Sequence, residues 1–231
     1  MPNRRGRGEP SEGAPTQQRG RGDPSEGAPT QQRGRGEPSE GAAKSGPAVA
    51  RARVPLVERE KATPAQQAAW DRISQSRGRV AGPFAALLHS PELAQRIAAT
   101  GHYVRFDGPL PQTVREIAII TVARALDAQY EWVAHAVLAR KAGVREEVIT
   151  AIRERKAPAG LTAEEAQVHN FAAALMREHR VSDKDFAALQ ARFGLEGLVD
   201  LTAVVGYYAM IACALNAFGV EPTPGEPPLP L

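Results

Sequence analysis

Three tandem copies of a fourteen-residue unit fill the start of this chain and confine any core to the residues that follow. They read RGRGEPSEGAPTQQ at 5–18, RGRGDPSEGAPTQQ at 19–32 and RGRGEPSEGA at 33–42. Almost no side chain in them is large and apolar, so no burial offsets the entropy of ordering the backbone. A period of fourteen suggests two heptads, but the Pro and Gly in every copy exclude a helix. Residues 1–55 are therefore expected to be a disordered tail, 56–220 the folded body, and the Pro-rich 221–231 an irregular end. At 231 residues, one or two domains are possible.

Charge divides at the same place. Residues 1–53 hold ten Lys and Arg against six Asp and Glu, a net of +4, whereas the whole chain carries +3. The basic character belongs to the tail, and the body is close to neutral. Arg-Gly pairs can contact RNA or anionic surfaces. Here each Arg-Gly-Arg is followed by an acidic block and no aromatic residue is interleaved, so a solvated tail with at most weak nucleic-acid contacts is expected. The single cysteine, Cys213, excludes an intramolecular disulfide framework and any Cys-x-x-Cys pair. A reducing cytoplasm suits such a chain, and the N-terminus lacks an apolar signal core. The apolar stretch Leu198–Val220 is interrupted by Asp200, Gly206, Tyr207, Tyr208 and Asn216, which favours a buried helix over a membrane span.

From Thr63 onward the signals are helical. Thr63, Pro64 and Gln66 form an N-cap, a first-turn proline and a capping box, opening a helix that stops at Gly78. Further helices are expected from Ser90 to about Gly101, Pro111 to Ala125, 128–141 with a stop at Gly143, 145–154, Thr162 to about His179, Ser182 to Phe193, and 196–217. Asp107-Gly108-Pro109 marks 103–110 as a loop. The β-branched run from Ile117 to Val122 is the one place where a strand is arguable, and its alanines and capping context favour helix. Short connections between helices imply an all-α antiparallel bundle.

The segment Tyr130-Glu131-Trp132-Val133-Ala134-His135 carries the clearest chemical signal. Glu131 and His135 are four apart and share one helix face among apolar neighbours. A carboxylate and an imidazole on a buried face can exchange a proton near neutral pH. The alternative for His135 is a core histidine satisfied by one hydrogen bond. Trp132 reads as packing. His89 reads as a cap or surface contact, and His169 and His179 as solvated.

The stretch PFAALLHSPELAQRIAATGHYVRF, followed by LPQTVREIAIITVARALDAQYEWVAHAVLARKAG, resembles the carboxymuconolactone decarboxylase family, which includes the alkylhydroperoxidase D-like proteins. Weaker similarity extends over roughly residues 60–220. The resemblance implies the alkylhydroperoxidase D-like helical fold, a trimeric or hexameric homo-oligomer, and a proton relay ending at His135. It also implies that Glu116, nineteen residues upstream, partners that histidine. A carboxylate there would raise the basicity of the imidazole while burial would lower it, so the sign of the His135 shift stays open. Glu116 near a helix start could instead serve the helix dipole. In the peroxidase branch the motif Cys-x-x-Cys-x-x-x-His would place cysteines at 128 and 131. This chain has Ala128 and Glu131 there, which removes thiol chemistry. The decarboxylase branch is similar in carrying a glutamate four residues before the histidine.

Tyr130, Arg115 and His102 complete the candidate set as substrate-binding residues. Tyr130 would donate to a substrate oxygen, Arg115 would hold a carboxylate or form a surface ion pair, and His102 would approach the pocket. Glu116, Glu131, His135 and His102 are potential metal ligands, but a single well-placed histidine is a poor zinc site, and no metal is expected. No phosphate-binding glycine loop is present, and no cofactor is expected. The expected activity is that of a cofactor-independent lyase or isomerase acting on a small organic acid or lactone, with His135 moving the proton, Glu116 orienting it, and Glu131 shaping the pocket or sharing the proton. The alternative is a non-catalytic small-molecule-binding oligomer of the same fold.

Overall fold

The helix Gln112–Ala125 (α4) has ten buried residues among its fourteen, from Val114 and Glu116 through Arg124. A helix apolar on every side must be surrounded. In the computed structural model of the chain α4 is the central element, contacted by α5 (Gln129–Lys141), α6 (Glu146–Arg153), α7 (Ala163–Glu178) and α8 (Asp183–Phe218). The structure describes residues 52–80, 82–156, 160–222 and 227–230, all within the unit Pro47–Leu231. Of the tail expected to be disordered over 1–55, residues 1–51 lie outside the described residues, whereas the expectation is corrected for 52–55: Arg53 and Pro55 hydrogen-bond the body and Val54 packs on its core. On the other side, α1 (Pro64–Arg77) packs on α3 (Pro91–His102), and a short α2 (Pro83–Leu87) bridges α3 and α8. No strand occurs among the described residues. The all-α bundle read from the sequence is the observed fold, and the β-branched run Ile117–Val122 is helical.

Local signals act as expected. Thr63 and Thr162 each close a full capping box, with Gln66 and Glu165 respectively, satisfying N–H groups that the first turn leaves unpaired. Ser182 accepts from the Asp185 N–H. Helix α8 is interrupted at Gly194, whose φ of 69° and ψ of 179° separate its polar first part from its apolar second part. Taken whole, α8 is long and apolar enough to cross a membrane by length and composition alone, but its second part is packed within the bundle. It holds buried Asp200 and lies against α4, as a core helix does.

Three features differ from the sequence reading. Residues Tyr103–Asp107 continue α3 as a π turn instead of opening a loop, while Gly108-Pro109 still ends it. Pro83–Leu87 forms the unforeseen α2, with Pro at its first turn. The chain end is irregular but docked. Leu229 is buried, and its N–H and carbonyl bond the side-chain amide of Gln129 at 2.8 and 3.1 Å. Arg153 donates to the Pro228 carbonyl and Arg124 to that of Pro230. Proline carbonyls keep their acceptor capacity, so a Pro-rich segment can be held by donors from the body.

At the other end, the Arg53 N–H donates to the Phe218 carbonyl at 2.7 Å, and Val54 and Val57 lie against the core. Deleting residues 1–46 should therefore leave the melting temperature unchanged, whereas deleting 1–57 should lower it by roughly 5 °C through lost apolar burial. Thermal unfolding of the two truncations checks this. Equal melting temperatures would place the start of the folded body after Val57.

Candidate active site

Helices α4 and α5 cross so that Glu116, in the second turn of α4, reaches the imidazole of His135 on α5. The His135 Nδ1 lies 2.8 Å from a Glu116 carboxylate oxygen. The opposite nitrogen, Nε2, lies 3.2 Å from Glu131, one turn back on α5. All three residues are buried, at 4–5% exposure. Tyr208 of α8 meets the ring edge-on, with centroids 4.9 Å apart. Glu131 stands in the first turn of α5, where unpaired N–H groups favour a negative charge.

Both imidazole nitrogens face a carboxylate oxygen. A neutral imidazole has one N–H and can satisfy only one of them, whereas an imidazolium donates to both. Burial is the largest influence on His135 and disfavours its charge. The hydrogen bonds and charges of Glu116 and Glu131 together outweigh it and push the pKa up to about 9. The sign left open by the sequence is thus upward, and the site holds a proton through neutral pH.

Glu131 and His135 line a cavity of about 180 Å³, and Glu116 stands behind His135, out of the cavity wall. Arg77, Arg79 and Arg105 also line it, as do Tyr207 and Tyr208 of α8. Sequence reasoning missed these five residues, because the bundle brings them together from three separate helical segments and a loop. Tyr130 lines the cavity as expected, its hydroxyl lodged against Gly82 so closely that a Cβ there would overlap it. Gly82 also has a φ of 56°, so that position favours glycine twice over.

Two candidates lie elsewhere. Arg115 turns to the Gly108 carbonyl at 3.2 Å, tying α4 to the π turn, and does not line the cavity. His102 faces Asp107 at 3.7 Å and the Phe106 ring, also outside the cavity wall. The π turn, unread in the sequence, carries these neighbours to His102. Trp132 is buried core, His89 bonds the Pro55 carbonyl, and His169 is half-buried instead of solvated. No group of three or more metal-ligating side chains able to hold an ion occurs among the described residues.

Comparison with known proteins places this geometry. Residues 91–174 match the carboxymuconolactone decarboxylase family. The resemblance read from the sequence is borne out over that segment, which contains Glu116, Glu131 and His135. Among solved structures, the chain is similar to an uncharacterized peroxidase-related protein from Ralstonia eutropha JMP134, described as an alkylhydroperoxidase AhpD core. That match has 20% identity and a TM-score of 0.63 over 75% of this chain and 93% of the other. A peroxidase-related protein from Silicibacter sp. TM1040 matches at 20% identity and a TM-score of 0.61, over 80% and 96% of the two chains. The debrominase Bmp8 in its apo form matches at 15% identity and 0.58, over 73% and 91%. These likenesses establish the alkylhydroperoxidase D-like fold. No curated protein matches the chain.

Ala128 and Glu131 lie within the family segment, and Cys213 is an exposed residue of α8.

A raised histidine pKa contributes stability that is fully present below the ordinary value of 6.5 and is lost as pH rises through about 9. Between those limits the wild type should lose roughly 3 kcal/mol of unfolding free energy from this group. Glu116→Gln should flatten that loss, because one of the two stabilising charges is gone. Denaturant unfolding of both proteins from about pH 6 to 10 measures it, with other titrating groups cancelling in the comparison. Identical pH slopes would mean that Glu116 does not hold the His135 proton.

Proposed function

We propose that the chain is a cofactor-independent lyase or isomerase of the carboxymuconolactone decarboxylase type, acting on a small organic acid or lactone by proton transfer. The observation that carries this reading is the placement of His135 between Glu116 and Glu131, with Glu131 and the imidazole facing a cavity and Glu116 behind them. In a decarboxylation, the C–C bond to the carboxylate breaks, carbon dioxide leaves, and the carbanion takes a proton from the His135 imidazolium. The imidazole then recovers a proton from water. In an isomerisation, Glu131 removes a proton from one carbon, His135 returns one to another, and the proton on Glu131 then passes to His135 Nε2, 3.2 Å away, which restores both groups. Glu116 serves both courses by keeping the imidazole charged and oriented. A buried acid–base pair suits either reaction, since low local polarity strengthens its interaction with developing charge.

Thiol peroxidase chemistry is not part of this reading, despite the names of two structural neighbours. Ala128 and Glu131 offer no thiolate, and Cys213 is not in the cavity wall. Turnover of a panel of β-keto acids and lactones, followed by carbon dioxide release and by solvent-deuterium incorporation, tests the proposal. His135→Ala should lower any activity found by about 100-fold or more. Binding without turnover or deuterium incorporation across the panel would favour a non-catalytic binding protein.

The body is also proposed to self-associate. Leu195, Val199 and Met210 on the outer face of α8 are 61%, 65% and 39% exposed. Gly206 between them leaves open space where a neighbouring helix could approach. Exposed apolar side chains on one helix face suit a contact between copies. Light scattering at micromolar concentration should give a multiple of the 24.7 kDa chain mass. A monomer mass would contradict it.

A further inference from the structure

Three side-chain polar atoms among the described residues are buried without a hydrogen-bond partner: Arg77 Nη1, the Tyr207 hydroxyl and His102 Nδ1. Two of the three, Arg77 and Tyr207, belong to residues lining the cavity that Glu131 and His135 share. A buried donor left unpaired costs about 1–3 kcal/mol, so two on one cavity call for a common partner.

Both groups can donate, and the Tyr207 hydroxyl can also accept. The Arg77 guanidinium has no lone pair to offer and stays charged in proteins, although burial lowers its pKa. It lies over the Phe84 ring, 4.3 Å from the centroid, which fixes its plane. Burial pushes the Tyr207 phenol up to about 12, so it remains an O–H through the physiological range. Its hydroxyl sits against Gly101 of α3, where a Cβ would come within 2.0 Å, and its ring meets Tyr208 edge-on at 5.2 Å. Arg77 offers no lone pair, so a partner common to both groups must be an acceptor, and the balance of charge says which kind. An imidazolium between two carboxylates leaves one net negative charge, while Arg77, Arg79 and Arg105 bring three positive charges to the same cavity.

The volume sets the size. About 180 Å³ is below the range of drug-sized pockets and accommodates only a few water volumes, so the ligand is small. A singly charged carboxylate fits better than a doubly charged phosphate, because the relay's own negative charge lines the same space.

We propose that Arg77 and Tyr207 form a carboxylate subsite that anchors one end of a small organic acid and so presents its reacting carbon to Glu131 and His135. Presentation of the reacting carbon rests on the proposed proton-transfer function, whereas the anchoring does not. Arg77 precedes residues 91–174 and Tyr207 follows them, so selectivity here comes from segments flanking the family match. The subsite also excludes neutral analogues. An ester in place of the carboxylate would leave the guanidinium facing an uncharged group, which loses a charge-assisted hydrogen bond.

Calorimetric titration of the full chain with levulinate and butyrate, with their methyl esters, and with inorganic phosphate tests the subsite directly. The free acids should bind at least tenfold more tightly than their esters and than phosphate. Arg77→Gln and the milder Arg77→Lys should each weaken the acids by about tenfold or more, and Tyr207→Phe by a smaller factor. All three variants should leave the His135 NMR titration in place, which separates subsite loss from misfolding. His135→Ala should keep acid binding, so a protein that binds acids through Arg77 but turns nothing over would retain the subsite and remove the proposed reaction. Equal affinity for acids and esters, tighter binding of phosphate, no acid binding by the wild type, or unchanged binding in a folded Arg77→Lys would overturn it. Turnover of a neutral lactone that depends on His135 and not on Arg77 would overturn it too, while leaving the proposed reaction standing.

Discussion

Everything at the centre of this molecule depends on one imidazole being held by two buried carboxylates. Glu116 comes from α4, Glu131 and His135 from α5, and Tyr208, which meets the ring edge-on, from α8. A charged group that deep is tolerable only if both of its N–H groups are satisfied, because removing one partner from a buried ion pair costs about 3–5 kcal/mol. The three helices must therefore keep their mutual positions to within hydrogen-bonding tolerance. The apolar burial of α4 on nearly every side supplies that constraint. Packing and site chemistry are in this sense one problem.

The cavity lining carries both signs of charge. It includes Glu131 and His135, both inside the segment that matches the carboxymuconolactone decarboxylase family. It also includes arginines from the end of α1, the following loop and the π turn, with Tyr207 from α8. Under the proposed function, the first group would handle the proton and the second would hold the acid. Structural relatives at 15–20% identity share the backbone arrangement, and that arrangement alone leaves the choice of chemistry to individual side chains. Ala128 and Glu131 are among those side chains.

Much of this was legible in the residues themselves, for identifiable reasons. Capping at Thr63 and Thr162 and the glycine stops at 78 and 143 are local interactions, so the helices they bound could be located from sequence. Glu131 and His135 share a face by helical periodicity alone. Glu116 required the family resemblance, because contact between α4 and α5 is tertiary. Arg77 and Tyr207 are 130 positions apart and carry no local signal, so their convergence could not be read. The π turn was hidden because Asp107-Gly108-Pro109 correctly marks an end, while one wider turn before it leaves no compositional trace. That turn removes His102 from the cavity and gives Arg115 the Gly108 carbonyl as its partner. Docking of Leu229 and the proline carbonyls was equally silent, since the donors that hold them lie far away in sequence.

The central claim is that His135 is an imidazolium bonded to two carboxylates at neutral pH. Nitrogen-15 NMR of the full chain with labelled histidine reads this directly near pH 7.5. The account predicts that both ring nitrogens of His135 carry protons, with shifts typical of imidazolium, and that deprotonation comes only as pH rises toward about 9. A neutral tautomer at that pH, with one nitrogen unprotonated, would contradict the claim and leave the two glutamates without the charge that joins them.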